Sequence, residues 1–220
     1  MSEQEIRITT ERGEVGAAWG RPRGAIATLV LAPGAGSGYE APFLAGFAGA
    51  LMEEGVATLR FNFPYREQGR RSPDREPVLR ATWLAAFDEA VRRSRDSTRI
   101  FAGGKSMGGR YASMCTADGM PSAGLVFLGY PLHPPRDPEK LRDEHLYRIE
   151  VPMLFIQGTR DPFARPEKLG PVLERLGGLA AAVPIDGGDH SFRVKGGTRD
   201  DGAIGAALAP AAAEFIMRVV

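Results

Sequence analysis

The sequence predicts an α/β fold in which helices flank a mostly parallel central sheet. Short apolar runs alternate along the 220 residues with stretches whose apolar side chains recur at helical spacing. Several runs are apolar without interruption, as expected for strands buried on both faces of a parallel sheet. No internal repeat or low-complexity linker marks a second unit, so we expect one domain over residues 1–220, without a cap domain.

The first elements combine a hairpin with a strand-helix-strand unit. Two short runs at residues 6–9 and 15–19 flank a polar turn and predict an antiparallel hairpin. The apolar run at 25–31, followed by the PGAG stretch, predicts a buried strand and a tight loop. Helical spacing from Phe43 to Met52 and strand composition at 56–61 complete the unit.

The same alternation continues to the end of the chain. It predicts a helix near 79–93, a strand at 99–103, a helix near 107–117 and strands at 124–128 and 153–158; a helix at 166–176, a strand at 180–185 and a helix at 203–219 follow. Two long loops, 64–77 and 131–150, are expected at strand ends, where α/β folds bind ligands.

Composition limits the classes of partner and compartment. The chain has 28 Lys and Arg against 27 Asp and Glu, so we expect neither nucleic acid nor a membrane as a partner. Cys115 is the only cysteine, which excludes an intramolecular disulfide and a cysteine-rich metal cluster. The first residues lack a signal-peptide pattern, and every apolar stretch is interrupted before the ~20 residues that cross a bilayer. We expect a cytoplasmic protein without cofactor or metal.

The pentapeptide GKSMG at residues 104–108 predicts a nucleophilic serine. It follows an apolar strand and begins a predicted helix, and its glycines permit a sharp turn that exposes Ser106. A phosphate-binding P-loop would need glycine at position 99, where Arg99 stands. Ser106 is therefore the predicted nucleophile.

A serine hydroxyl needs a nearby base at neutral pH, and the chain has three histidines. His190 lies in a glycine-rich loop between the last predicted strand and the last helix, and it is the predicted general base. His133 and His145 fall in the polar loop 131–150, where surface or hydrogen-bonding roles are expected.

The acid that would orient the histidine is expected between serine and histidine in the chain. Asp161 directly follows the strand at 153–158 and fits that place. Asp137 and Asp143 lie inside the preceding loop. Asp189 is the alternative, although an adjacent residue reaches its neighbour's ring with difficulty.

Two backbone N–H groups are predicted to stabilise negative charge on a substrate carbonyl oxygen. Met107 would donate one from the helix start, and Ala35 the other from the loop after the third strand; an ordinary turn is the alternative for that loop. A cluster of loop arginines could bind a substrate carboxylate or phosphate, with a solvated loop as the alternative. Its members are Arg66, Arg70, Arg71 and Arg75.

Five stretches together resemble the α/β-hydrolase superfamily, and more narrowly its compact branch near the dienelactone hydrolases. They are PGAG at 33–36, FNFPY at 61–65, GGKSMGGR at 103–110, GYPLHPP at 129–135 and GTRDPF at 158–163. The resemblance implies a serine hydrolase that cleaves an ester or thioester of a small acyl substrate through an acyl-enzyme. Pro33 stands where relatives often carry histidine, and Ser106 stands where dienelactone hydrolases carry cysteine, so the lactone substrate does not carry over.

Two other functions remain open on the sequence. The superfamily includes hydrolase-like domains within chromatin complexes, so a non-catalytic binding module is one alternative. An acyltransferase that uses the same acyl-enzyme is the other. The complete set of Ser106, Asp161 and His190 favours an enzyme, whereas its natural substrate and its oligomeric state are not predicted.

Overall fold

The computed structural model describes residues 3–94 and 99–220, and eight strands in them form one sheet. The strands are β1 (Gln4–Thr10), β2 (Gly13–Gly20), β3 (Ala27–Ala32), β4 (Val56–Phe61), β5 (Arg99–Lys105), β6 (Leu125–Leu128), β7 (Met153–Gly158) and β8 (Ala180–Ile185). Their order across the sheet is β1-β2-β4-β3-β5-β6-β7-β8. Strand β2 pairs antiparallel with β1 and β4, and the remaining pairs are parallel. The predicted fold class is confirmed.

The described residues also form six α-helices and two short 3₁₀ turns. The helices are α1 (Pro42–Glu53), α2 (Pro64–Glu67), α3 (Glu76–Arg93), α4 (Met107–Ala117), α5 (Pro166–Leu176) and α6 (Asp201–Val219). The 3₁₀ turns are Glu144–Arg148 and Gly177–Leu179. Helices α1, α2, α3 and α5 carry proline in the first turn, where a backbone N–H has no helical acceptor to lose. Helix α2 and the first 3₁₀ turn were predicted as loop.

The sheet separates two apolar layers. Trp83 of α3 and Phe127 of β6 belong to the layer on the α3 and α4 side, whereas Phe47 of α1 and Leu208 of α6 belong to the other. Strand side chains alternate between the layers, so β3, which is apolar apart from Thr28, is buried on both faces. Because β3 to β8 run parallel, their carboxyl ends lie along one edge of the sheet. The loops of the site meet at that edge.

Helix α6 corrects one expectation from the sequence. Its 19 residues are long and apolar enough to span a membrane by length and composition, although every apolar stretch was expected to be interrupted. In the structure, its buried side faces α1 and the sheet, and a Cβ on Gly205 would lie 2.0 Å from the Phe43 carbonyl oxygen. The backbones of α1 and α6 thus touch, and α6 packs one face against the rest of the protein.

Candidate active site

Ser106 joins β5 to α4 in a strained backbone conformation. Its φ of 49° and ψ of −114° place a non-glycine residue in a sparsely occupied region. The Ser106 N–H donates to the Leu128 carbonyl oxygen at 3.1 Å, which ties the turn to β6. The strained turn is the geometry that the pentapeptide predicts.

The glycines of the pentapeptide have a steric role that the structure makes explicit. A Cβ on Gly104 would lie 2.2 Å from the Ala32 carbonyl oxygen, and a Cβ on Gly108 would lie 2.3 Å from the same atom. The end of β3 therefore packs directly on the backbone of the turn, which leaves no room for a side chain at position 104 or 108.

The structure brings Ser106, His190 and Asp161 into one hydrogen-bonded chain. Ser106 Oγ lies 2.9 Å from His190 Nε2, and His190 Nδ1 lies 2.7 Å from Asp161 Oδ2. A carboxylate only accepts hydrogen bonds, so Nδ1–H donates to Asp161 and the lone pair of Nε2 is left to accept the Ser106 hydroxyl. Asp161 is fully buried, whereas the His190 side chain is 23% exposed.

Two further groups hold the Asp161 carboxylate, and the sequence analysis missed one of them. The side-chain amide of Gln157 donates to Oδ2 at 2.6 Å, and the Phe163 N–H donates to Oδ1 at 2.8 Å. Gln157 also accepts the Tyr130 N–H at 2.8 Å. The available signal was a polar residue at the end of the otherwise apolar strand β7.

Asp189, the alternative acid, has a different task in the structure. Its Oδ1 accepts the N–H groups of Ser191 at 2.8 Å and Arg193 at 3.0 Å. This carboxylate stabilises the turn that carries His190, while Asp161 is the acid that contacts the imidazole.

Phe163 also contacts the imidazole. Its ring meets the His190 ring edge to face at a centroid distance of 4.6 Å.

The other two histidines have the hydrogen-bonding roles expected for them. His145 Nε2 lies 2.8 Å from Ser113 Oγ and 3.2 Å from the Tyr130 hydroxyl. Burial, followed by the nearby Arg110, lowers the pKa of His145 to about 4, so its imidazole is neutral at neutral pH. His133 is buried, and its Nδ1 lies 2.9 Å from the Pro134 carbonyl oxygen.

Lys105, inside the pentapeptide, is a second contact that the sequence analysis missed. Its ammonium donates to the His190 carbonyl oxygen at 2.6 Å and lies 5.5 Å from the centre of the Phe192 ring. Burial lowers the pKa of Lys105 to about 8, although the negative charges of Asp161 and Asp189 oppose that shift. Lys105 thus connects the turn that carries Ser106 to the loop that carries His190.

A cavity of about 650 Å³ opens over Ser106 and His190, and both predicted backbone donors line it. Met107 is the first residue of α4, so its N–H has no acceptor within the helix. Ala35 follows Gly34, where a Cβ would lie 3.8 Å from Ser106 Cβ.

Residues 3–94 and 99–220 contain no group of three or more His, Cys, Asp or Glu side chains that could hold a metal ion.

The arginines at the cavity differ from those singled out in the sequence. None of the loop arginines at 66, 70, 71 and 75 lines the cavity, and Arg70 pairs with Asp74. Arg110 and Arg142 line it instead. Arg110 lies within the GGKSMGGR stretch, but nothing in the spacing indicated that Arg142 would lie near it.

A serine on a strained strand-to-helix turn, with histidine and aspartate from later strand ends of a mostly parallel sheet, is typical of α/β hydrolases. The family described as alpha/beta hydrolase domain matches residues 25–217, and the chain belongs to this family. The predicted membership of the superfamily is thereby confirmed.

Solved structures from three organisms share the fold at low sequence identity. A dienelactone hydrolase from Anabaena variabilis is 23% identical, with a TM-score of 0.76 over 99% of this chain and 97% of that chain. An α/β serine hydrolase without lid from Xanthomonas campestris is 21% identical, with a TM-score of 0.73 over 99% and 95%. A Pyrococcus furiosus esterase is 16% identical, with a TM-score of 0.75 over 99% and 90%.

Proposed function

We propose that the protein is a serine hydrolase that cleaves an ester or thioester of a small or accessible acyl substrate. The observation that carries the proposal is the hydrogen-bonded chain from Ser106 through His190 to the buried Asp161. A base within hydrogen-bond reach of a serine, itself oriented by a third group, is the arrangement that nucleophilic catalysis requires. Membership of the α/β-hydrolase family supports the same reaction class.

In the proposed reaction, Ser106 Oγ attacks the substrate carbonyl carbon while His190 Nε2 takes the hydroxyl proton. The Asp161 carboxylate stabilises the imidazolium that forms. The tetrahedral intermediate collapses as His190 passes the proton to the leaving alcohol or thiol, which leaves an acyl group on Ser106. His190 then takes a proton from water, the resulting hydroxide attacks the acyl carbon, and the carboxylic acid departs as Ser106 regains its proton.

The negative charge on the carbonyl oxygen needs donors that are already in position. The Ala35 and Met107 N–H groups are the proposed pair, because both residues line the cavity beside Ser106. Removing one such donor from a serine hydrolase costs about 2.7–4 kcal/mol of transition-state stabilisation. The lack of an intrahelical acceptor for Met107 supports its part in this role.

The size of the cavity supports a small substrate. At about 650 Å³ it lies in the range of small-molecule sites, roughly 300–1,000 Å³. Its wall combines apolar side chains, among them Leu44, Leu79 and Phe163, with the polar groups of the site. A short acyl group, or the exposed end of a larger molecule, would fit there.

The test compares Ser106→Ala with Ser72→Ala, the same substitution at an exposed loop position. Wild-type protein and Ser72→Ala should hydrolyse p-nitrophenyl acetate and react with a fluorophosphonate probe, whereas Ser106→Ala should do neither. Equal activity in Ser106→Ala would refute the assignment of the nucleophile. If wild-type protein does not react with the probe and copurifies with a stable partner, the result would favour the non-catalytic binding module.

A further inference from the structure

Arg110 and Arg142 reach one cavity from two different segments. Arg110 lies one helical turn after Ser106 on α4, and its N–H donates to the Ser106 carbonyl oxygen at 3.1 Å. Residues four apart on a helix share a face, so Arg110 points to the side of the helix on which the nucleophile lies. Arg142 lies in the loop before the first 3₁₀ turn. Its N–H donates to the Leu132 carbonyl oxygen at 2.7 Å, and its carbonyl oxygen accepts the Tyr130 hydroxyl at 3.1 Å.

These two arginines line the cavity without an acidic partner. Neither forms an ion pair with a carboxylate in the described part of the chain, residues 3–94 and 99–220. The Arg110 Nε is buried without a hydrogen-bond partner. Burial, and after it the positive charge of Arg110, lowers the pKa of Arg142. Two guanidinium groups that repel each other in a partly desolvated wall are stabilised by an anion between them.

The acidic groups of the cavity wall are already engaged elsewhere. Asp74 pairs with Arg70, and Asp201 accepts a hydrogen bond from Arg193 at 2.7 Å. Asp143, next to Arg142 in the chain but outside the cavity wall, accepts the Tyr147 hydroxyl at 2.6 Å and forms no ion pair with Arg142. Arg110 and Arg142 are therefore cations of the cavity wall that no described carboxylate pairs with.

We propose that Arg110 and Arg142 form an anion subsite, which binds a carboxylate or phosphate group of the substrate while its ester carbonyl faces Ser106. The proposal rests on the proposed function, because Ser106 defines where the reacting carbonyl lies. Arginine presents a planar fork of N–H donors that binds the oxygens of either anion in pairs. The four arginines of the 64–77 loop are not part of this subsite.

The cavity that the subsite shares with Ser106 limits the length of the substrate. Arg110, Arg142 and Ser106 all line it, and its volume is about 650 Å³. A short spacer between the anion and the scissile carbonyl keeps both groups within it, as in monoesters of short dicarboxylic acids. The expected substrate class is thus a compact ester with one terminal negative charge.

A matched pair of esters tests the subsite by turnover. Monoethyl succinate carries the charge, and ethyl 4-methylpentanoate replaces its two carboxylate oxygens with methyl groups. We expect wild-type kcat/KM to favour the charged ester by on the order of ten- to a hundredfold, because hydrogen bonds to a charged group contribute about 1.5–3 kcal/mol. Arg110→Met and Arg142→Met should each reduce that ratio about tenfold or more. Arg136→Met, at an exposed position of the same loop, removes one charge and should leave the ratio unchanged.

Binding to Ser106→Ala protein tests the subsite without turnover. Monomethyl succinate and inorganic phosphate serve as probes in calorimetry, and binding of either one should be lost in the double variants with Arg110→Met or Arg142→Met. Binding of phosphate alone would assign the subsite to phosphorylated substrates. If neither probe binds, or if both bind equally without the arginines, the anion subsite is refuted even when neutral esters are hydrolysed. If Ser106→Ala protein binds the probes as expected but wild-type protein cleaves no ester, the subsite is supported and the proposed hydrolase function is refuted.

Discussion

At the scale of single residues, the Asp161 carboxylate illustrates how a buried charge is accommodated. It is fully buried, and three donors satisfy it: the His190 ring, the Gln157 amide and the Phe163 N–H. A buried ionised carboxylate without such partners would be strongly destabilising. The same donors also set the direction in which Oδ2 faces the imidazole.

Gln157 provides a direct test of that positioning. We expect Gln157→Leu to lower kcat on p-nitrophenyl acetate by on the order of ten- to a hundredfold with little change in KM, because a carboxylate oxygen loses a donor of about 1.5–3 kcal/mol. Gln4→Leu, at an exposed position of β1, is the control and should keep wild-type kinetics. A Gln157→Leu variant that changes KM alone would show that the amide does not position Asp161.

The lowered pKa of Lys105 should make the free energy of unfolding depend on pH. Burial lowers its pKa from 10.5 to about 8, so the folded state loses this proton at lower pH than the unfolded state. A lowered pKa penalises the folded state while the lysine is charged, and the penalty shrinks as pH rises above 8. Relative to Lys105→Met, the wild-type free energy of unfolding should therefore rise by about 1 kcal/mol between pH 7 and pH 9.

Urea unfolding of both proteins at the two pH values measures this difference. Lys195→Met, in an exposed loop, is the control and should follow the wild-type trend. Parallel pH dependence in wild type and Lys105→Met would contradict a depressed lysine pKa at this position.

At the scale of elements, the β5 to α4 junction depends on close packing against the end of β3. A Cβ at position 108 would lie 2.3 Å from the Ala32 carbonyl oxygen and 2.7 Å from the Pro33 carbonyl oxygen, both of them backbone atoms. We expect Gly108→Ala to destabilise the protein by about 2–3 kcal/mol and, by moving Ser106, to slow the proposed hydrolysis of p-nitrophenyl acetate.

Gly49→Ala in α1 is the matched control, because no atom lies within 4 Å of its added Cβ. Replacing a helical glycine with alanine in open space should leave activity intact and increase stability by up to about 1 kcal/mol. Urea unfolding and kcat/KM distinguish the two variants. Equal loss in both would contradict the steric role assigned to Gly108.

The elements that the sequence analysis missed, helix α2 and the two 3₁₀ turns, are short. Helix α2 has four residues, too few for apolar periodicity to appear. It is held from outside, because Asp74 accepts the Tyr65 N–H at 2.9 Å and the Tyr65 hydroxyl accepts the Gly36 N–H at 3.1 Å. The longer elements were predicted with ends that differ by three residues at most from those observed.

At the scale of the whole molecule, the single cysteine reports on global unfolding. Cys115 is 3% exposed within the α3 and α4 layer, and burial raises the pKa of its thiol to about 12. The reactive thiolate is therefore scarce in the folded protein. We expect Ellman's reagent to leave the native protein unmodified at pH 8 and to modify one thiol per chain in denaturant, with urea dependence that matches circular dichroism. Rapid modification of folded protein would show a local opening that the packing does not predict.

The sequence by itself determined the order and type of the long elements, because apolar periodicity and glycine or proline at the ends are local properties of the chain. It also determined Ser106, Asp161 and His190 as the candidate set, since each follows a strand in the order typical of such folds. Their meeting at 2.9 Å and 2.7 Å is a property of the folded chain.

Only the tertiary structure decided what surrounds that set. No local sequence pattern indicates which residues will contact Gln157, Lys105, Arg110 or Arg142 in the folded chain. Lys105 and His190 are 85 residues apart in the chain, yet their hydrogen bond is 2.6 Å long. Contacts over such separations arise from how the sheet orders its strands and how the helices pack on it, and these depend on the whole core rather than on neighbouring residues.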